Sequence, residues 1–216
     1  MPTTNDGIIA IDILLEPDAR MLQHAQVNNA RLLKAFPNGF SLDATHRPHI
    51  TMVQRFVHAE ELDKVYAAIG NVLDGANATA MNLVAFKYYY APGPGIGVAG
   101  ICAKPTPELL ELQADVIAAA APYTVETGTI AAFTAPHGNA TYDELLIEYV
   151  SAFVPKYSGV NYNPHVSTGV GSVEYLNGML AEPFESFTFS PAGAAVYQLG
   201  PFGTAAKKLK EFELKH

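Results

Sequence analysis

The chain has 216 residues, of which 49 % are hydrophobic, with one cysteine and a formal net charge of −8. This composition is typical of a folded globular protein, and the single cysteine excludes an internal disulfide. Proteins that hold long nucleic acids carry a basic surface, so the acidic charge argues against such a partner.

The first seven residues lack a basic start followed by an apolar stretch, and no apolar run reaches about 18 residues. We therefore expect neither a secretory signal nor a membrane span. The expected location is cytoplasmic. Cys102 lies inside the apolar run 98–103 and is expected to be a small core residue.

The first half of the chain alternates between two periodicities. Continuous or alternating apolar runs predict strands, and apolar residues spaced three and four apart predict helices. Thr106 followed by Pro107 is typical of a helix start. The predicted strands cover 8–15, 48–56, 81–90 and 96–103, and the helices cover 22–36 and 62–73 and begin again at 106.

The second half contains an irregular segment at about 122–160. It includes one short helix. Residues 141–144 resemble a capping box at the start of this helix, and Pro155 is expected to end it. A strand at 163–170, a helix at 172–180 and a final strand pair at 184–190 and 194–199 follow. The lysines near residue 207 are interpreted as a solvated helix face or tail. The order of elements predicts an α+β fold with a mostly antiparallel sheet.

Two of the seven histidines stand in the same pattern of proline, histidine, an apolar residue and a hydroxyl residue. The pattern reads PHIT at 48–51 and PHVS at 164–167. Successive side chains of a strand point to opposite faces. Each strand therefore presents an imidazole and a hydroxyl, two residues apart, on the face turned away from the core.

The same alternation assigns the other residues of these strands to a face. The prediction places Arg47, Arg55, Asn163 and Gly169 on the same outer face as the two histidines and their hydroxyl residues. On the core face it places Ile50, Met52, Phe56, Pro164, Val166 and Val170.

The candidate catalytic residues are His49, His165, Thr51 and Ser167. A neutral imidazole can accept a proton from water or a ribose hydroxyl, and a protonated imidazole can give one to the leaving oxygen. The hydroxyls can donate hydrogen bonds to the non-bridging oxygens of a phosphate. This chemistry needs neither a metal nor a cofactor.

On these motifs the sequence resembles the two-histidine (2H) phosphoesterases, a superfamily that includes RNA 2′,3′-cyclic phosphodiesterases and the 2′-5′ RNA ligase family. The family motif, His-x-Thr/Ser-x, occurs twice and matches residues 49–52 and 165–168. The resemblance implies two similar lobes with antiparallel sheets, which face each other across a central groove and carry helices on the outside. We expect residues 1–216 to form one such domain, with the segment at 122–160 as an insertion.

Arg55, Tyr123 and Phe133 are the candidate substrate-binding residues. A guanidinium group can hold phosphate oxygens, and an aromatic ring can stack on a base. A surface position for Arg55 and core packing for the two aromatic residues remain open, and Arg47 is better explained as a surface arginine.

Two further patterns are considered and set aside. His46 precedes His49 by three residues, but no third ligand with metal-site spacing accompanies them. Residues 95–100 fit Gly-x-Gly-x-x-Gly, but the residues that follow predict a strand where a dinucleotide site needs a helix.

We therefore expect a metal-independent phosphodiesterase that acts on a small nucleotide or a short RNA end, with a 2′,3′-cyclic phosphate as the first-ranked substrate. It should act as a monomer, without a membrane or a long nucleic acid as partner. The alternatives are 2′,5′-phosphodiesterase or RNA end-joining activity in the same site, and a non-catalytic nucleotide-binding module.

Overall fold

The protein has an α+β fold with nine strands and five α-helices in the residues that its computed structural model describes, 7–215. The α-helices are α1 (Ala19–Ala35), α2 (Leu62–Gly75), α3 (Pro107–Ala120), α4 (Ala140–Tyr157) and α5 (Val173–Leu180). The strands are β1 (Ile8–Pro17), β2 (Ile50–His58), β3 (Leu83–Pro92), β4 (Ile96–Ala103), β5 (Thr124–Val125), β6 (His165–Ser172), β7 (Phe187–Phe189), β8 (Pro191–Leu199) and β9 (Ala205–Phe212). The predicted fold class is confirmed.

The strands form one antiparallel sheet in the order β7-β3-β4-β6-β2-β1-β8-β9, with β5 beside β2. Two four-stranded lobes can be recognised in it, β2-β1-β8-β9 and β7-β3-β4-β6. Only the residue pair Ile50 and Val166 joins β2 to β6. The two motif strands are therefore the inner strands of the lobes, and they meet where the lobes meet.

One face of the sheet is covered by helices that bury their apolar sides in the main hydrophobic core. Strand residues such as Ile11, Ile50 and Met52 share this core with side chains from α1, α2 and α3. Thr106 caps α3, as the sequence predicts, and the side chain of Asp18 caps α1. Cys102 is fully buried, as expected.

The helix of the 122–160 segment is longer than predicted. α4 has 18 residues and begins after Asn139, whose side chain accepts hydrogen bonds from the backbone N–H groups of Thr141 and Tyr142. Asn139 is a strong N-cap that precedes the proposed capping box. Pro155 lies inside the last turn, where proline removes one helical hydrogen bond without ending the helix.

The last part of the chain differs from the prediction in two ways. β7 and β8 do not pair with each other, because β7 pairs with β3 and β8 pairs with β1 and β9. The lysines near residue 207 lie in the edge strand β9, where Lys208 forms ion pairs with Glu16 and Glu211. Charged side chains are common on edge strands because they discourage pairing with other chains.

Candidate active site

Each motif strand carries a β-bulge one residue after its hydroxyl residue. In β2, Thr51 pairs with Leu14 and Val53 pairs with Ile13, so Met52 is the extra residue. In β6, Ser167 pairs with Gly100 and Gly169 pairs with Ala99, so Thr168 is the extra residue. A bulge shifts the alternation of side chains, and the faces beyond it are exchanged.

The bulge in β2 corrects the predicted place of Arg55. Gln54 and Phe56 now share the face of Thr51, and Gln54 lines the cavity that both histidines line. Arg55 points elsewhere and donates a hydrogen bond from Nη2 to Thr124 Oγ1 at 3.2 Å. The prediction that Arg55 shares the face of His49 is therefore wrong.

The bulge in β6 likewise reverses the prediction for Gly169. A Cβ atom on Gly169 would lie 3.0 Å from Asn29 Nδ2 and 3.1 Å from Leu32 Cδ1, both on α1. Its φ of +147° is one that residues with a side chain rarely adopt. Gly169 therefore faces helix α1 rather than the groove, and glycine permits the bulge.

The two histidines are held in the same way. His49 Nδ1 lies 2.6 Å from the carbonyl oxygen of Arg47, and His165 Nδ1 lies 2.8 Å from that of Asn163. A carbonyl can only accept, so each Nδ1 carries a proton and each Nε2 is the nitrogen available for chemistry. In both motifs the carbonyl belongs to the residue two positions before the histidine.

Both histidines line one cavity of about 190 Å³. Thr51, Gln54 and Ser167 line it as well, and the outer wall is apolar and aromatic: Ile96, Val98, Tyr142, Leu145, Leu146, Tyr149 and Phe202. Four of these wall residues belong to α4, so the 122–160 segment borders the groove. No lysine or arginine is among the described residues that line the cavity.

A second, smaller recess continues from this cavity and is rich in tyrosine. It lies against Thr51 and His165 and is lined by tyrosine rings from β3, α4 and the segment before β6: Tyr89, Tyr149, Tyr157 and Tyr162. The Tyr89 ring lies 5.0 Å from the His165 ring between centroids. Aromatic rings that line a recess can stack on the planar ring of a ligand.

Tyr123 and Phe133 lie outside both recesses. Tyr123 packs against the main core, and Phe133 is 4 % exposed in a second core cluster. There its ring meets that of Phe56 edge-on at 5.9 Å. Neither ring is placed to stack on a ligand in the cavity, because both are used for packing.

Asp12 is a site residue that sequence reasoning missed. It is fully buried on β1. Its Oδ2 accepts hydrogen bonds from Thr51 Oγ1 at 2.7 Å and Gln54 Nε2 at 2.9 Å, and lies 3.3 Å from His49 Nε2. A carboxylate inside the apolar run 8–15 was the available signal, since such a group is buried only with partners.

The surroundings shift the two histidines in opposite directions. Burial lowers the pKa of His49, but Asp12, the Arg47 carbonyl and Glu16 outweigh it, so the pKa is raised. Burial and the charge of His49 lower the pKa of His165. The Asn163 carbonyl and Asp12 raise it by less, so the pKa is lowered overall. The surroundings therefore favour a protonated His49 over a protonated His165.

Two features of other protein classes do not occur within residues 7–215. No cluster of three or more histidine, cysteine, aspartate or glutamate side chains is arranged to hold a metal ion. In the same part of the chain, every helix is too short or too polar to cross a membrane.

Comparisons with known proteins rest on structure alone, since no family model and no curated protein matches the chain. TT0787 of Thermus thermophilus is 18 % identical, with 95 % of this chain and 98 % of that chain covered and a TM-score of 0.53. E. coli LigT, solved with 3′-AMP, is 14 % identical, with 98 % and 100 % covered and a TM-score of 0.47. Usb1 of Kluyveromyces marxianus is 11 % identical, with 94 % and 98 % covered and a TM-score of 0.45.

The likeness to TT0787 extends over nearly the whole of both chains and shows a shared fold. The protein shares the fold of TT0787, and its two lobes, each with one motif on its inner strand, agree with the architecture that the sequence resemblance implies.

Proposed function

We propose that this protein is a metal-independent phosphodiesterase that hydrolyses 2′,3′-cyclic phosphates of nucleotides or short RNA ends. The observation that carries the proposal is the matched pair of imidazoles. Each Nδ1 of His49 and His165 is held by a carbonyl, and both rings line the same cavity. This is the arrangement that paired proton transfer at one phosphorus requires.

The hydroxyl groups of the two motifs have different partners. Thr51 Oγ1 donates its proton to Asp12, whereas Ser167 Oγ has no hydrogen-bond partner among the described residues. Ser167 therefore has a proton to offer to a non-bridging phosphate oxygen, where charge is greatest in the transition state. The hydroxyl proton of Thr51 is already used in the hydrogen bond to Asp12, so Thr51 acts mainly by holding Asp12 in place.

The charge of the cavity supports a cyclic phosphodiester as substrate. A cyclic phosphate carries one negative charge, and the raised pKa of His49 favours one protonated imidazole in a cavity that no described lysine or arginine lines. Arg47 lines an adjoining recess with His49 and Ser167. A polyphosphate or a long RNA would need more cations than these walls provide. The tyrosine recess beside His165 fits the base of the same nucleotide.

The test is turnover of the four nucleoside 2′,3′-cyclic monophosphates, followed by chromatography of the products, with a 2′,5′-linked dinucleotide in parallel. We expect hydrolysis of the cyclic substrates and a loss of about 10²- to 10⁴-fold in His49→Ala and His165→Ala. His58→Ala is the matched control, because His58 ends strand β2 outside the cavity.

Tight binding of a cyclic nucleotide without turnover would contradict the proposed enzyme and indicate a non-catalytic binding module. Preferred cleavage of the 2′,5′ linkage would keep the site and change the substrate. Wild-type turnover in either histidine variant, with the fold verified by circular dichroism, would contradict the mechanism.

A further inference from the structure

A single buried carboxylate makes the two otherwise similar motifs unequal. Asp12 Oδ2 lies 3.3 Å from His49 Nε2. Among residues 7–215, no carboxylate lies at ion-pair distance from His165, so the second motif has no counterpart of the pair between His49 and Asp12. The two imidazoles therefore share their backbone anchor and differ in electrostatic surroundings.

Hydrogen-bond chemistry decides the form of His49. Its Nδ1 donates to the Arg47 carbonyl, so a neutral ring would turn the lone pair of Nε2 toward the Asp12 carboxylate. Oδ2 already accepts from Thr51 and Gln54, so it has no proton to offer to that lone pair. Protonation of Nε2 turns this repulsion into attraction, which is strong for a buried pair.

We propose that Asp12 is a positioning residue that holds His49 as the imidazolium, which makes His49 the general acid and leaves His165 as the general base. The inference rests on the proposed function for the roles in the reaction. The charge state of His49 stands on the geometry alone.

The reaction step then has a direction. His165 Nε2 takes a proton from water, and the water oxygen forms a bond to phosphorus. The bond from phosphorus to one ribose oxygen breaks, and its electron pair stays on that oxygen, which takes the Nε2 proton of His49. The product is a phosphate monoester, and exchange with solvent returns the proton from His165 to His49.

Other charged or titratable groups lie around His49, and two of them, His46 and Arg47, line a recess with it. Glu16 on β1 acts at longer range and is already engaged with Arg47 and Lys208. His165 approaches from β6, and Tyr149 on α4, near Asp12, has a pKa raised by burial and stays neutral at working pH. The raised pKa of His49 and the lowered pKa of His165 agree with the direction inferred from geometry.

The first experiment is an NMR titration of the histidine Cε1–H signals in the wild-type protein, without substrate. We expect His49 to titrate at clearly higher pH than His165. The reverse order would overturn the proposal, and this measurement needs no variant to fold.

The second experiment compares Asp12→Asn with Glu16→Gln, which removes the same charge from the same strand at longer range. In Asp12→Asn the amide oxygen can still accept from Thr51 and Gln54, so the charge alone is lost. An opposite charge this close typically shifts a pKa by about 1 to 3 units. We expect the His49 titration to fall by at least one unit in Asp12→Asn and by much less in Glu16→Gln.

On 2′,3′-cyclic nucleotides, the alkaline limb of the kcat/KM profile should move down by the same amount. At a pH above the alkaline limb of the wild-type profile, this lowers kcat/KM of Asp12→Asn by roughly 10-fold for each unit of the shift, since each unit is then tenfold in the protonated fraction. An unmoved titration and an unmoved limb in a folded Asp12→Asn would overturn the proposal. If wild type has no turnover but His49 responds to Asp12→Asn, the proposed function fails and the role of Asp12 in charging His49 stands.

Discussion

Replacing one histidine at a time should separate acid from base through the leaving group of the substrate. In a 2′,3′-cyclic nucleotide the leaving ribose oxygen needs a proton. In a 2′-deoxynucleoside 3′-(4-nitrophenyl phosphate), water displaces 4-nitrophenolate, which departs without one. Both reactions need the base that activates water, and only the first needs the acid.

The structure fixes which variant should respond to this change. His49 lies against Asp12 and is the proposed general acid, so His49→Ala should lose about 10²- to 10⁴-fold on the cyclic substrate. That loss corresponds to about 3 to 5 kcal/mol of transition-state stabilisation. On the nitrophenyl ester it should shrink to within about tenfold, because no proton transfer to the leaving group is removed. His165→Ala should lose similar factors on both substrates.

The assay is kcat/KM of wild type and both variants on the two substrates, with nitrophenolate followed by absorbance and the cyclic nucleotide by chromatography. The informative quantity is the ratio of the two losses for each variant, in which general effects on folding or binding cancel. A leaving-group effect confined to His165→Ala would refute the assignment. An equal effect in both variants would show that the acid and the base are not fixed.

Four further outcomes follow from the site. The pH profile of wild-type kcat/KM should be bell-shaped, with its acid limb below and its alkaline limb above the ordinary pKa of histidine, since the pKa of His165 is lowered and that of His49 raised; a single sigmoid would contradict paired transfer. Incubation with EDTA should leave the rate unchanged, whereas a loss restored by zinc or manganese would refute the metal-free scheme. Phe133→Ala should lower the free energy of unfolding in urea by about 3 to 5 kcal/mol, because a ring that is 4 % exposed leaves a cavity; unchanged stability with a raised KM would indicate contact with substrate instead. Arg55→Ala should leave KM at its wild-type value, as its side chain binds Thr124 outside the cavity; a large rise in KM would return it to the site.

The motif strands could be predicted from the sequence because each combines an apolar core face with polar residues at alternate positions. The faces beyond the hydroxyl residues could not, since a bulge adds one residue without changing composition. No residue near Met52 in the sequence is typical of a β-bulge, so the extra residue there could not be predicted. In β6 the positive φ of Gly169 marks the bulge, but a glycine in a sequence does not reveal its φ.

Pairing between distant strands was the second obstacle. Phe187–Phe189 and Pro191–Leu199 are neighbours in the chain, and adjacent strands commonly pair, yet each finds its partner in a different lobe. Asp12 was missed for a related reason. Its meaning depends on Thr51 and Gln54, about forty positions away, which the register of β1 against β2 brings beside it.

The lobe that carries His49 is assembled from the two ends of the described chain. β1 and β2 come from residues 8–58, whereas β8 and β9 come from 191–212, and the strands of the other lobe are made in between. During synthesis on the ribosome, one edge of β1 therefore has no partner until the residues of β8, Pro191–Leu199, have emerged. Long-range pairings of this kind form slowly and leave an open strand edge in the meantime. The half of the site that contains Asp12 thus begins to be translated before the strands of the other lobe and is completed after them.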